Sequence, residues 1–504
     1  MMSMPESNSL AVERRWLRVP LWIVAGGILS GWVALAALHV GDDYRVTHSG
    51  GIWAALAETA RTGHLYPPIF DGEHYSGTRY MPLPILLNAL ASSVVGDPLI
   101  GGKVLAGLLM IALVALVVLV LRRLLCPWPL ATALAAVVVA TDTGLQAGST
   151  IGGDLLPVVL QVCALFAVLA GRGRSTMLIA GAFAGLAIAS KLTGVWAFLA
   201  ITTWLVMHSQ WRQAVTFSGA CAGVAGLILG TVEVLTGGGL SAHLLAFSLA
   251  GVGGGGSFLR SPNQILFNLL GHASGAVVLF PLAVLGPLLS RGWRQLSVIH
   301  VALAFSIVLL LVVYADVGTG FNQLIDLVVL TALAAGHLAA PATSSDPPTD
   351  AVLRMAVTVF VIWAAGLDLV RTVGFDVRTT VAALKARAVP HRTVDLVVRM
   401  ARPGERVLAE DPSIEVALGR QPVVMDPFML ARLERAHPEQ VDPLISWIDA
   451  RRFDLVVLVV SLEDRTVEFW WNDFQYGPRV AAALRRSYRP DGLVGRYFVY
   501  RPRQ

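Results

Sequence analysis

Apolar runs close to the length that crosses a bilayer recur along the first three quarters of the chain. They fall at 19–40, 99–121, 130–147, 155–170, 215–235, 264–289, 296–315, 322–339 and 353–371. About 20 apolar residues cross the ~30 Å hydrocarbon layer as a helix, and backbone polar groups in lipid must be satisfied within the segment. The stretch 177–207 is too long for one span and is interrupted by Lys191-Leu-Thr-Gly194, so it reads as a hairpin of two short helices. The sequence therefore predicts a polytopic α-helical membrane protein with about eleven transmembrane helices.

Charge divides the chain in two. Of 504 residues only 14% are charged, against ~25% in soluble domains. Residues 1–375 hold 34 charges and the shorter segment 376–504 holds 37. This predicts a membrane module over 1–375, including an outer loop at 41–98, and an extracytoplasmic α/β accessory domain over 376–504. A single globular core, a coiled coil and a disordered chain are excluded. The net charge of +5 gives no reason to expect a nucleic-acid partner, and Cys126, Cys163 and Cys221 lack metal-ligand spacing. Val19–Val40 is long enough to span and has no small-residue cleavage site, so it reads as a span rather than a cleaved signal.

Arginine placement sets the orientation. With a cytoplasmic N-terminus, short inner loops collect Arg14, Arg15, Arg18, Arg122, Arg123, Arg172, Arg174, Arg212, Arg291, Arg294 and Arg354. The short outer loops collect Arg260 alone, as the positive-inside rule requires. The bias also demands the 177–207 hairpin, because Arg174 and Arg212 must share a side. The expected location is the plasma (inner) membrane, with segment 41–98 and the C-terminal domain outside.

The first outer loop concentrates chemistry. Asp42 and Asp43 directly follow a span, and carboxylates at a bilayer surface are costly enough to be functional candidates, although a solvated helix end is the plain alternative. Ile52–Leu65 and Ile85–Val95 have the spacing of short interfacial helices that would roof a cavity. Between them Tyr66, Tyr75 and Tyr80 suit interfacial anchoring or sugar stacking.

The order of these features resembles the glycosyltransferase C superfamily, closest to its polyprenyl-phosphate-sugar-dependent branch, which includes protein O-mannosyltransferases and lipid A aminoarabinose transferases. The match rests on the acidic pair, the Gly63-His-Leu-Tyr66 turn, the Tyr80-Met-Pro-Leu83 element, Gly153-Asp154-Leu-Leu, Gly185–Gly194 around Lys191, and Gly318-Thr-Gly-Phe-Asn322-Gln-Leu. Met81 stands where relatives often carry Lys, and Asp43 where some carry Glu. The resemblance implies sugar transfer from a polyprenyl-phosphate donor to an extracytoplasmic glycan, lipid or protein acceptor, with no cofactor. Asp42 or Asp43 would act as general base while cations steady the leaving lipid phosphate.

Other candidates carry two readings each. Asp154 would cap a helix or line the site, and Lys191 would snorkel at a helix end or hold donor phosphate. Arg79 and Arg260 are further phosphate ligands or solvated outer-loop arginines. Asn322 and Asp326, one turn apart, would line the cavity or pair helices. Asp368 and Arg371 read as a local pair. His48, His64 and His74 lack tight ligand spacing, so no metal site is expected. Gly253–Gly256 lacks the Lys-Ser/Thr of a phosphate loop and reads as a hinge.

In the C-terminal domain, strand patterns fall at 406–409, 423–425, 455–460 and 496–500, with helices at 429–436, 443–451 and 480–486. Trp470, Trp471, Phe474 and Tyr476 suit a core or a sugar platform. A transporter or flippase of lipid-linked sugars is the competing function; such proteins usually show internal repeats and midplane charges, and neither is evident here.

Overall fold

The computed structural model describes residues 7–46, 48–248, 256–289, 296–316, 318–340, 347–385 and 392–504. Gly253, Gly254, Gly255, Arg291 and Arg294 lie outside them, as do the side chains of Arg14 and Arg15.

Helix α1 (Ser7–Leu38) carries the first span and is followed by the acidic loop, then by α2 (His48–Arg61) and α3 (Pro82–Val95). The last two are the expected short apolar helices. Pro82, whose ring presets the helical φ, starts α3, and Gly96 at φ +84° ends it in the left-handed conformation that favours glycine. Asp97 then caps α4 (Pro98–Arg123), its carboxylate accepting from the Ile100 N–H at 2.8 Å.

The expected span 130–147 is bent. Thr141 adopts an extended ψ of 148° and its hydroxyl accepts from Gly144 N–H at 2.9 Å, ending α5 (Trp128–Ala140) and starting α6 (Asp142–Ser149) at 78°. Next come α7 (Leu155–Ala170), then α8 (Arg174–Ser190) and α9 (Trp196–Met207), which form the expected hairpin with its turn at Lys191. After α10 (Trp211–Leu235) and α11 (Gly239–Phe247), the expected span 264–289 is divided. Helix α12 (Gly256–His272) meets α13 (Ser274–Leu289) at 118°. The break is held by Asp368, which accepts from Ser274 Oγ at 2.9 Å and from Gly275 N–H at 3.0 Å. Arg371 donates to the Leu270 carbonyl, so Asp368 and Arg371 tie α12 and α13 to the last span rather than serving only each other.

Helices α14 (Val298–Val313), α15 (Ile325–Leu338) and α16 (Pro347–Lys385) complete the bundle. Five described helices are long and apolar enough to cross a membrane alone, and two bent pairs raise this to seven. Helices α7, α8, α9 and α14 are shorter but occupy the remaining expected spans. Their core is small and aliphatic: Ala131, Ala133 to Ala136, Ala164, Ala180 and Ala184 are buried, so helices approach closely.

The C-terminal domain begins with α17 (Thr393–Met400) and builds a four-stranded sheet from β1 (Val407–Ala409), β2 (Leu455–Leu458), β3 (Tyr488–Val494) and β4 (Tyr497–Pro502), in the order β1-β2-β4-β3. Strands β1 and β2 are parallel and every residue in them is buried, as a doubly covered parallel pair requires. Helices α18 (Ser413–Ala417), α19 (Pro427–Ala436), α20 (Asp442–Asp449) and α21 (Pro478–Ser487) pack around it. Residues 423–425 are not a strand of this sheet: Val424 bridges in parallel to Tyr75 of the segment between α2 and α3, with Tyr75 N–H donating to Val423 O at 2.7 Å. Tyr75 is thereby buried, as are Trp471 and Tyr476, which serve the core of the domain.

Candidate functional site

The interhelix segments carrying the candidate residues gather at one end of the bundle, against the C-terminal domain. At the opposite end Arg123 donates to the carbonyls of Leu169 and Ala170, and Arg172 lies over Trp204 at 5.1 Å.

The acidic pair is held by contacts that its sequence neighbourhood did not announce. Asp42 Oδ1 accepts from Tyr44 N–H at 2.8 Å, while Oδ2 lies 2.6 Å from His39 Nδ1. Lys103, on the second turn of α4 with its side chain only 3% exposed, reaches under the loop. Its ammonium donates to the carbonyls of His39 at 2.9 Å, Asp42 at 2.5 Å and Tyr44 at 3.3 Å, and lies 3.8 Å from Asp42 Oδ1. Asp43 faces elsewhere: its Oδ2 accepts from Thr393 N–H at 2.6 Å, and its Oδ1 is buried with no hydrogen-bond partner among the described residues. Arg45 pairs with Asp142, which also bonds His272 Nδ1 at 2.7 Å, and the His272 ring stacks on Phe321 at 3.8 Å.

Phe321 leads into a second cluster. Lys191 Nζ donates to Asp154 Oδ1 at 2.6 Å and to Gln323 Oε1 at 2.7 Å, and Asn322 Nδ2 donates to Asp154 Oδ2 at 2.6 Å. Three residues singled out from sequence thus meet, from the start of α7, the end of α8 and the 3-10 turn that leads into α15, with Gln323 as an unforeseen fourth. Asp154 makes no side-chain capping bond, so its carboxylate belongs to the cluster and not to its own helix. Lys191, with its side chain 20% exposed, is held by two partners instead of reaching freely to water. Next to it a crevice is lined by Thr193, Trp196, Leu309, Val313, Gln323 and Asp326. Asp326 Oδ1 accepts from Trp196 Nε1 at 2.7 Å, placing it one turn deeper than Asn322.

Tyr66 and Tyr80 join where the sequence motifs placed them. Tyr66 OH donates to the Tyr80 carbonyl at 2.7 Å, and the Tyr80 ring lies 4.4 Å from Trp53. Burial pushes both phenols up, so they remain protonated at neutral pH. Arg79 turns to Asp316 at 2.6 Å, and Arg260 is exposed on α12. Asp426 caps α19, accepting from Phe428 and Met429 N–H at 3.0 and 3.3 Å. Burial pushes its carboxyl up to about 6 against the pull of Arg79 and those two donors. Among the described residues no three His, Cys, Asp or Glu side chains gather to hold a metal ion.

A comparison of whole folds decides the class. ArnT from Cupriavidus metallidurans, solved bound to undecaprenyl phosphate and in the apo state, superposes with a TM-score of 0.58 at 14% identity, over 94% of this chain and 98% of that one. The chain shares that fold. The Archaeoglobus fulgidus oligosaccharyltransferase in the apo form agrees, with a TM-score of 0.51 at 14% identity over 95% of this chain and 74% of that one. No protein-family model matches the sequence, and no curated protein matches it. Within this shared fold, the acidic loop, the Lys191 cluster and the C-terminal domain all meet at one end of the helices.

Proposed function

We propose that this chain is an integral membrane glycosyltransferase that moves a sugar from a polyprenyl-phosphate donor to an acceptor outside the cytoplasm. The observation that carries this reading is the joining of Asp154, Lys191, Asn322 and Gln323 at the same bundle end as the acidic pair, in a chain with this fold. The arginine-rich end faces the cytoplasm in this reading, and the C-terminal domain stands outside with the site.

The donor phosphate would lie near Lys191, its lipid following the crevice between α9 and α14, whose walls include Trp196, Leu309, Leu310 and Val313. A point charge on Lys191 suits a phosphate, and its fixed partners spare reorganisation during reaction. Asp42 or Asp43 would take the acceptor hydroxyl's proton as the acceptor oxygen bonds to the anomeric carbon. The bond from that carbon to the phosphate oxygen breaks, and polyprenyl phosphate leaves with its electron pair. Asp43, with one unpartnered oxygen, has a lone pair to offer, whereas both oxygens of Asp42 are engaged. Tyr66 and Tyr80 would border the sugar.

Purified protein in nanodiscs, supplied with polyprenyl-phosphate sugars and envelope acceptors, tests this. Asp42→Asn and Asp43→Asn are each to be compared with wild type. At least one should slow transfer by about a hundredfold or more, a hundredfold being the lower end of the ordinary range for a general base. Transfer that neither substitution slows tenfold refutes the base assignment.

A further inference from the structure

Where the first outer loop, the segment after α14 and the C-terminal domain converge, two guanidinium groups share one carboxylate. Arg79 Nη1 donates to Asp316 Oδ2 at 2.6 Å. Arg432, on α19 with its side chain 2% exposed, stands 3.6 Å from Asp316 Oδ1, beyond hydrogen-bond reach. Its Nε and Nη2 are buried and have no hydrogen-bond partner among the described residues. Phe428 lies against both cations, 5.0 Å from the Arg79 guanidinium carbon and 4.5 Å from that of Arg432, and Gly318 leaves room for its ring. Asp426, whose charge also acts on Arg79, spends one oxygen on the N-terminus of α19.

A buried charged donor left unsatisfied is costly, and a planar guanidinium pair matches the fork geometry of phosphate or carboxylate. We propose that Arg79 is the seat for an anionic group carried by the acceptor, that Asp316 fills this seat when no substrate is present, and that Arg432 receives Asp316 once the seat is taken. The proposal rests on the transferase reading and names its acceptor class. Arg79 is the reachable member, its side chain 26% exposed. An oxyanion docking on Arg79 takes over the bond that Asp316 now makes. Asp316 then closes by under an ångström onto Arg432, reaching the ~2.8 Å of a charge-assisted bond and satisfying a donor that is now orphaned. The acceptor is favoured over the donor because Arg432, Phe428 and Asp426 all come from the C-terminal domain. The lipid-side crevice and Lys191 lie instead among the ends of membrane helices.

Full-length protein in nanodiscs can be titrated with inorganic phosphate and, separately, with undecaprenyl phosphate, binding being read by calorimetry without any need for turnover. Arg432→Gln should weaken inorganic phosphate by about tenfold. Asp316→Asn should tighten it by about threefold or more, because it removes the competing anion. Undecaprenyl phosphate should shift by less than about twofold in both variants. Should either variant fold poorly, Arg79→Lys, at a partly exposed position, should weaken inorganic phosphate by about threefold or more. Weaker phosphate binding in a folded Asp316→Asn protein, or no change in Arg432→Gln, overturns the seat. Equal shifts for undecaprenyl phosphate overturn the assignment to the acceptor. Binding that behaves as expected in a protein without transfer activity would refute the transferase reading and leave the seat standing.

Discussion

Replacing Lys103 with methionine isolates the contact that shapes the acidic loop. The ammonium donates to three carbonyls of residues 39, 42 and 44 and pairs with Asp42 from a position with 3% side-chain exposure. Methionine keeps much of the volume and removes every donor. Hydrogen bonds from a charged group contribute ~1.5–3 kcal/mol each, and removing one partner of a buried ion pair costs ~3–5 kcal/mol. Part of this returns because the lysine no longer has to be desolvated. A net local cost of about 3 kcal/mol corresponds to roughly a hundredfold rise in the open population of the loop. Hydrogen exchange followed by mass spectrometry reads it in peptides covering Tyr44 and Val46, whose amides bond Asp42 Oδ1 and the Asp43 carbonyl. Those amides should exchange about a hundred times faster in Lys103→Met, while buried α15 peptides stay unchanged. Protection at Tyr44 and Val46 within about threefold of wild type would refute the claim that Lys103 holds the loop.

Three further outcomes follow from the same geometry. Asp154→Asn takes away the negative charge paired with Lys191 and leaves it only neutral amide acceptors, and the transfer rate should fall by about a hundredfold with a smaller effect on donor KM, as steady-state kinetics would report. Burial raises Glu410 to about 7, Asp426 to about 6 and Glu415 well above its ordinary value, so all three bind protons more tightly folded than unfolded. The contribution of Glu410 and Asp426 is complete below about pH 4 and is lost as pH rises through about 6 to 7, on the order of 3 kcal/mol from Glu410, and Glu415 acts in the same direction. Melting of the C-terminal domain should therefore shift downward between pH 5 and pH 8, and a rising melting temperature over that window would contradict this. A Cβ on Gly51 of α2 would collide with the Asp411 carboxylate of the C-terminal domain, whereas one on Gly223 of α10 meets open space. Gly51→Ala should cost ~1–3 kcal/mol and speed proteolysis between the two domains, while Gly223→Ala should be harmless.

Much of this architecture was written in charge placement. The arginine balance forced a turn at Lys191, and the structure puts that turn beside Asp154. The breaks inside 130–147 and 264–289 were harder to see because hydropathy averages over them. Thr141-Asp-Thr-Gly144 is a capping sequence within an apolar run, and the second break depends on Asp368, nearly a hundred residues away. Lys103 falls inside the expected span 99–121, and nothing local shows that its ammonium turns back under residues 39–44. Strand β3 contains Pro490-Asp-Gly492, a turn-like sequence, and becomes a strand only by pairing with β4 across an irregular register. The contacts of Arg79, Asp316 and Arg432 join three distant segments and leave no periodic signal in any of them.

The central claim is that this bundle end performs sugar transfer. Proteoliposomes loaded with a polyprenyl-phosphate sugar and supplied with envelope acceptors allow transfer and lipid movement to be followed in one sample. The account predicts that free polyprenyl phosphate accumulates in step with glycosylated acceptor, and that both stop together when Asp42 and Asp43 are replaced by asparagine. Movement of intact lipid-linked sugar across the bilayer, with no sugar reaching any acceptor and no dependence on those carboxylates, would contradict it and mark the protein as a transporter.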